Sequence, residues 1–427
     1  MPRRVVITGL GLISPLGLTL EDNWNSLIKG VSGVDFISSF DCSSWKVKIA
    51  AEIKNFDPCC LPGKKKSIKL MNRDSQLAVA ATHSALEDSR LNRNEIEPSA
   101  IGIAFGAFGI QYMLEDAYIV AYSATGRKIT WINESEEPKC LNPIWPLTIL
   151  PNMSLCHIAI AHNIQGPNIA FCSLATSGAQ AIGEAFKLIK CGEADIFIAG
   201  GCSTLNPSYI FSLCSSGLLS DEKSNPSAAC RPFDKKRSGF VMGEGAAVVI
   251  LEELSHALRR DAPVYGEVIG YCSSLQGNTL LSEKQSFETR VEGVAICLKE
   301  AINQAGINPK DIDYINADGK ATFISDWVET EAIKKVFGSY AYQLSISSTK
   351  SMMGHLLCAS APAEIVVGAL AIREGVIPPT INYQHPDPCC NLDYTPNHFK
   401  KREVTVVLSH TIGLSGENAA LLLRRFS

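Results

Sequence analysis

The stretch from Gly166 to Gly183, GPNIAFCSLATSGAQAIG, constrains this chain more than any other. An apolar run leaves a Gly-Pro turn, breaks at a cluster of small residues, and resumes with Ile182, Ala185, Phe186 and Ile189 at helical spacing. That pattern predicts a strand, a tight elbow and a helix. The apex of such an elbow sits at the helix N-terminus, where unpaired backbone N–H groups and the helix dipole lower a nucleophile's pKa and bind an oxyanion. Here the apex is Ala175, whose methyl group cannot attack a carbonyl.

Around it, strand and helix patterns alternate. Val5–Thr8, Ile101–Phe105, Ala194–Gly201, Ala247–Leu251 and Val264–Tyr271 read as strands. Glu21–Leu27, Ser67–Leu91 and Glu288–Ala305 read as helices, the second with Ala78, Ala81, Ala85 and Leu86 on one face. Gly9-Leu10-Gly11 reads as a turn towards Pro15; without a third glycine opening a helix it is a weak dinucleotide signal. The alternation runs through residues 1–258 and again through 259–427, which predicts an α/β fold of two halves with a mostly parallel sheet under helices. A 427-residue chain that is 46% hydrophobic can bury so large a core.

A net charge of −4 argues against nucleic acid as a partner. Val5–Leu20 is interrupted by Gly9, Gly11, Pro15 and Gly17, so a buried strand and loop fit better than a secretion signal; no apolar run reaches the roughly 18 residues of a membrane span. The 15 cysteines are scattered, several of them in apolar segments (Cys156, Cys202, Cys272), which suits free thiols in a cytoplasmic protein. Cys59-Cys60 and Cys389-Cys390 have no Cys-x-x-Cys partner, and no histidine among His83, His157, His162 and His410 has ligand spacing, so neither metal nor cofactor is expected.

Three further motifs complete the pattern: Asn316-Ala317-Asp318-Gly319-Lys320-Ala321-Thr322; Ser347 to Leu357 with Lys350 and His355, followed by Glu364; and Gly413-Leu414-Ser415-Gly416-Glu417-Asn418. With the elbow they resemble the β-ketoacyl synthases, the condensing enzymes of fatty acid and polyketide assembly. The resemblance covers nearly the whole chain. It implies a thiolase-like fold of two related α/β halves in layered α-β-α-β-α order, with an interface and tunnel insertion at about 106–150 in the first half. It also implies that His355, Lys350 and Glu364 keep the family's residues, whereas Ala175 replaces the nucleophilic cysteine, Asp318 a histidine, Lys320 a threonine, Leu414 the gating phenylalanine and Ser415 a glycine. The lost histidine donates to the thioester oxygen, and an ionised aspartate only accepts. A carboxylate about 4 Å from a developing enolate repels it by roughly 4 kcal/mol at an effective dielectric near 20, unless Asp318 is protonated or paired with Lys350 or Lys320.

The resemblance further implies acyl carrier protein as a partner, docked on Lys64, Lys65, Lys66, Lys69 and Arg73, although such a run is also what an ordinary solvated face looks like. Phe108, Ile110, Gln111, Tyr112 and Trp145 are either core filling or a plug for an acyl tunnel. The lost nucleophile points to a non-condensing β subunit, the chain-length factor of a type II polyketide synthase, paired as a heterodimer with a catalytic ketosynthase. Alternative readings are a malonyl-carrier-protein decarboxylase and a fatty-acid-type β-ketoacyl synthase with altered chemistry. Cys172 as a substitute nucleophile is disfavoured: its odd offset along the strand points it away from the site, as a buried core thiol.

Overall fold

The computed structural model describes residues 3–62, 65–110, 119, 144–276 and 287–427. Ten strands form its main sheet: β1 Val5–Ile13, β2 Ile101–Gly106, β3 Asn168–Phe171, β4 Ile196–Ser203, β5 Gly245–Glu253, β6 Gly266–Leu275, β7 Tyr314–Asn316, β8 Ser345–Ser347, β9 Val406–Ile412 and β10 Glu417–Arg424. Their order is β8-β7-β9-β10-β6-β1-β5-β4-β2-β3. Counted outward from the centre, the first five strands run β1-β5-β4-β2-β3 and the last five β6-β10-β9-β7-β8, the same order twice. Only Val5–Ile7 of β1 and Gly266–Val268 of β6 join the two sets.

The sheet is mixed, which corrects the mostly parallel expectation. The flanks β2, β3, β4 and β7, β8, β9 pair in parallel, whereas β5 and β10 run antiparallel to both neighbours. The reason is connection: the parallel flanks follow helical crossovers, but β10 returns from β9 through a loop and pairs with it directly.

Two helices, Ser177–Cys191 and Ser360–Glu374, lie between the five-stranded sets and touch strands of both. Ser360–Ile372 is buried along its whole length, as a helix covered on every side must be. Arg73–Asp88 and Met153–His162 cover the outer face of the first set, and Phe287–Ala305, packed against Phe323–Phe337, covers that of the second. The outcome is the layered α-β-α-β-α arrangement. Arg73–Asp88 begins later than expected because Asn72 caps it, accepting from the Ser75 N–H at 2.9 Å. Gly9 and Gly11 are not a turn: they lie inside β1, where an added Cβ would come within 2.3 Å of the Ala85 carbonyl oxygen and 2.0 Å of that of Ala81. They let this helix rest on the strand.

At Gly183 the central helix crosses β6, and a Cβ there would meet the Tyr271 ring at 2.3 Å. Tyr271 is fully buried and cannot swing out. Gly183→Ala is therefore expected to cost about 1–3 kcal/mol in urea unfolding by overpacking. A loss below a few tenths would mean that the two layers slide apart freely. Among the described residues no helix is long and apolar enough to cross a membrane.

Candidate active site

The elbow forms as its sequence dictates. β3 ends at Phe171, Leu174–Thr176 makes one 3-10 turn, and the helix Ser177–Cys191 follows. Leu174 takes φ +52°, a left-handed conformation costing of order 1 kcal/mol or more for a residue with a Cβ, and held only by tight surroundings. Ala175, buried at 1% exposure, sits in this turn at the start of the helix. The turn Leu357–Ala359 packs against it. A Cβ on Gly178 would stand 2.3 Å from the Cys358 carbonyl oxygen, so glycine there lets the two turns meet. Cys172 is exposed, correcting the expectation of a buried core thiol: it lies just beyond Phe171, where the last strand of the sheet has ended and no neighbouring strand covers the chain. Cys202 is buried, and Cys156 and Cys272 are half-buried.

His355 follows Gly354 on the loop beyond Lys350–Met353. Its Nδ1 accepts the Leu357 N–H at 3.0 Å and lies 3.3 Å from Ser360 Oγ. With Nδ1 an acceptor, the neutral ring carries its proton on Nε2 and donates there. Burial, with Lys350 adding to it, holds its pKa well below the usual 6.5, so the ring is neutral.

Asp318, at the end of β7, is fully buried and sits between two ammonium groups: Lys320 Nζ is 3.1 Å from Oδ2 and Lys350 Nζ 3.2 Å from Oδ1. Lys350 also pairs with Glu364 on the central helix. Burial alone would raise the Asp318 pKa, but Lys320 and Lys350 overcome it and hold the carboxyl below the usual carboxylate range. Glu364 goes the other way, its burial raising it to about 8 against the pull of Lys350. The repulsion expected from Asp318 is thus countered by both lysines. Asp318 and Lys320 compensate each other as a buried ion pair, with Lys350 sharing the aspartate.

Glu329 and His410 belong to the same cluster, although the sequence reading left His410 to structure and passed over Glu329. Glu329 accepts the Asp318 and Gly319 N–H groups at 2.8 Å each and lies 3.2 Å from His410 Nδ1, fixing the loop that carries Asp318. The available signal was two acidic residues, Asp326 and Glu329, on the face of Phe323–Phe337 that also buries Val328, Ala332 and Ile333.

A cavity of about 520 Å³ reaches this cluster at Lys320, between Thr322, Leu414, Gly416 and Asn418. Leu414 thus lines the approach. Ser415 is half-buried, its N–H donating to Glu417 at 3.0 Å. Of the tunnel candidates, Phe108 packs edge-on against Tyr209, with ring centres 4.7 Å apart, and joins the cluster around Cys358 and Leu414. Trp145 is half-buried, and Ile110 is 58% exposed. Gln111, Tyr112 and Lys64 lie outside the described residues, as does the Lys65 side chain. Lys66 and Lys69 are exposed. Arg73 is exposed as well, and its guanidinium bonds Glu244 at 2.7 and 2.8 Å and the Ile53 carbonyl at 3.0 Å. Among the described residues no group of histidine, cysteine and carboxylate side chains could hold a metal.

A nucleophile elbow between two repeated α/β halves, facing a histidine and a Lys–Glu pair, defines a thiolase-like acyl-transfer scaffold. The chain belongs to the β-ketoacyl synthase family: residues 2–257 match the model of the β-ketoacyl synthase N-terminal domain, and residues 265–384 that of the C-terminal domain. It is 40% identical to the 3-oxoacyl-acyl-carrier-protein synthase 2 of Coxiella burnetii over 99% of both chains. It is 36% identical to that of Synechocystis sp. over 99% of this chain and 98% of that protein. Among solved structures it superposes on the ishigamide ketosynthase/chain length factor with TM-score 0.89 at 29% identity, and on AntDE:AntF, a type II polyketide acyl-carrier protein in complex with its ketosynthase, with TM-score 0.85 at 30% identity; each match covers 100% of both chains.

These relatives overturn the chain-length-factor expectation. The higher identities, 40% and 36% over nearly the whole chain, are to 3-oxoacyl-acyl-carrier-protein synthases of the fatty-acid type, and that expectation rested on the missing thiol. Removing one sulfur atom from an elbow says which step is lost, not which branch of the family the scaffold came from.

Proposed function

We propose that this chain is a β-ketoacyl synthase of the fatty-acid type with altered chemistry: it takes malonyl groups from acyl carrier protein and decarboxylates them without passing acyl groups through residue 175. One observation carries the reading. Asp318 is neutralised by Lys320 and Lys350 while His355 keeps an N–H to donate.

Decarboxylation needs no nucleophile on the protein. The bond between the malonyl α-carbon and its carboxylate breaks, CO2 leaves, and the electron pair moves into the thioester as an enolate. His355 Nε2–H donates to the enolate oxygen, where charge develops, and water then protonates the carbon to give acetyl carrier protein. The lost cysteine removes only the covalent half of the family's reaction. His355 is the donor, Lys350 and Glu364 hold Asp318 and one another, and Lys66 and Lys69 meet the acidic carrier.

Mass spectrometry of malonyl carrier protein incubated with the purified chain is expected to show conversion to acetyl carrier protein. His355→Ala should slow it by about 10²–10³, the cost of one oxyanion donor. Unconverted malonyl carrier protein, or a His355→Ala variant as fast as the parent, would defeat the reading. Whether the chain also pairs with a cysteine-bearing homologue is read from co-purification.

A further inference from the structure

The cavity leading to the site has a one-sided electrostatic lining. Arg237, Arg290 and Lys320 line it, and no acidic residue does among the described residues. Arg237 is spent elsewhere: its fully buried guanidinium bonds Asp387 at 2.6 Å and lies 3.6 Å from Asp326.

Lys320 is different. Its ammonium has three N–H donors: one bonds the Ile412 carbonyl at 2.5 Å, and a second stands towards Asp318, whose oxygen is 3.1 Å away as an ion pair without a hydrogen bond, which leaves a third. Asp318 does not line the cavity, whereas Lys320 does. The Asp318–Lys320 pair is therefore a dipole with its positive end towards the cavity, in a place only 2% exposed, where little water screens it.

We propose that Lys320 makes this cavity an anion subsite that holds the free carboxylate of a carrier-delivered acyl group, so that the chain selects malonyl over uncharged acyl groups. The proposal rests on the reading above for its substrate. The third N–H bonds a carboxylate oxygen in a charge-assisted pair, while Asp318 and the Ile412 carbonyl keep the ammonium in place. A threonine at this position offers one neutral hydroxyl and no such preference.

Binding separates this inference from the chemistry. Calorimetry with malonyl-pantetheine amide and acetyl-pantetheine amide, whose amide replaces the thioester, is expected to show the malonyl form bound roughly tenfold or more tightly by the wild type. Lys320→Met should abolish that difference and Lys320→Arg retain most of it, with circular dichroism and melting confirming that both variants fold. Equal binding of the two amides by the wild type, or a preference that survives Lys320→Met, overturns the proposal. Should Lys320→Met fail to fold, Lys320→Thr decides: loss of the preference supports the subsite, and a preference that survives overturns it. Tight malonyl binding without release of CO2 from malonyl carrier protein would defeat the decarboxylase reading and leave the subsite standing.

Discussion

Ala175→Cys should turn a protein that takes up no acyl group at this position into one that carries about one acyl group per chain after exposure to acyl carrier protein. The parts that activate a thiol are in place around the alanine. Leu174 still holds its left-handed φ of +52°, the turn still runs into the helix Ser177–Cys191, and the helix N-terminus lowers the pKa of a thiol set there. His355 is neutral and presents Nε2–H. Intact-protein mass spectrometry reads the adduct directly, with the parent as the blank and iodoacetamide labelling showing that the new thiol is accessible. The variant should load but condense poorly, because Asp318 still stands where the second donor is needed. A labelled, folded Ala175→Cys protein that never acquires an acyl group would mean that the elbow survives as architecture only, and with it would fall the view that this site handles carrier-bound thioesters.

The second large effect concerns stability. Lys350 is buried and shared between Asp318 and Glu364, and its pKa is raised because these carboxylates outweigh the burial that would lower it. Lys350→Met removes the ammonium that Asp318 and Glu364 share, and removing one partner of a buried ion pair costs about 3–5 kcal/mol. The double variant Lys350→Met, Glu364→Gln restores the balance, with Asp318 on Lys320 alone, so it should recover most of that loss. Urea unfolding of the parent, both single variants and the double gives the coupling. The sign with pH follows from the lowered Asp318 pKa. Its contribution is complete above the ordinary value of 3.8 and is lost as pH falls through the lower folded value, so the gap between Lys350→Met and the parent should narrow in acid. A single variant within 1 kcal/mol of the parent, or losses that simply add, would show that the four charges do not act as one unit.

The homology to 3-oxoacyl synthases and the loss of the thiol pull in different directions, and geometry reconciles them. The framework around residue 175 is that of an acyl-transfer enzyme, and the changes at 318 and 320 form an ion pair on either side of a glycine.

What the amino-acid sequence determined by itself is what depends on neighbours along the chain. The Gly-Pro turn, the small-residue break and the spacing of Ile182, Ala185, Phe186 and Ile189 define the elbow and its helix, and the identity of residue 175 removes the nucleophile wherever that elbow ends up. The Ser347–Leu357 motif with Glu364 likewise names its charged pair. Only the tertiary structure decided whether Asp318 stands alone or compensated, because Lys320 comes from its own loop, Lys350 from the turn after β8 and Glu364 from a helix between the sheets. It also set Glu244 beside Arg73, and placed Gly9 and Gly11 under a helix rather than in a turn. Periodicity is written in backbone geometry and reads locally, whereas the state of a buried charge is set by whatever distant segment packs within about 4 Å of it.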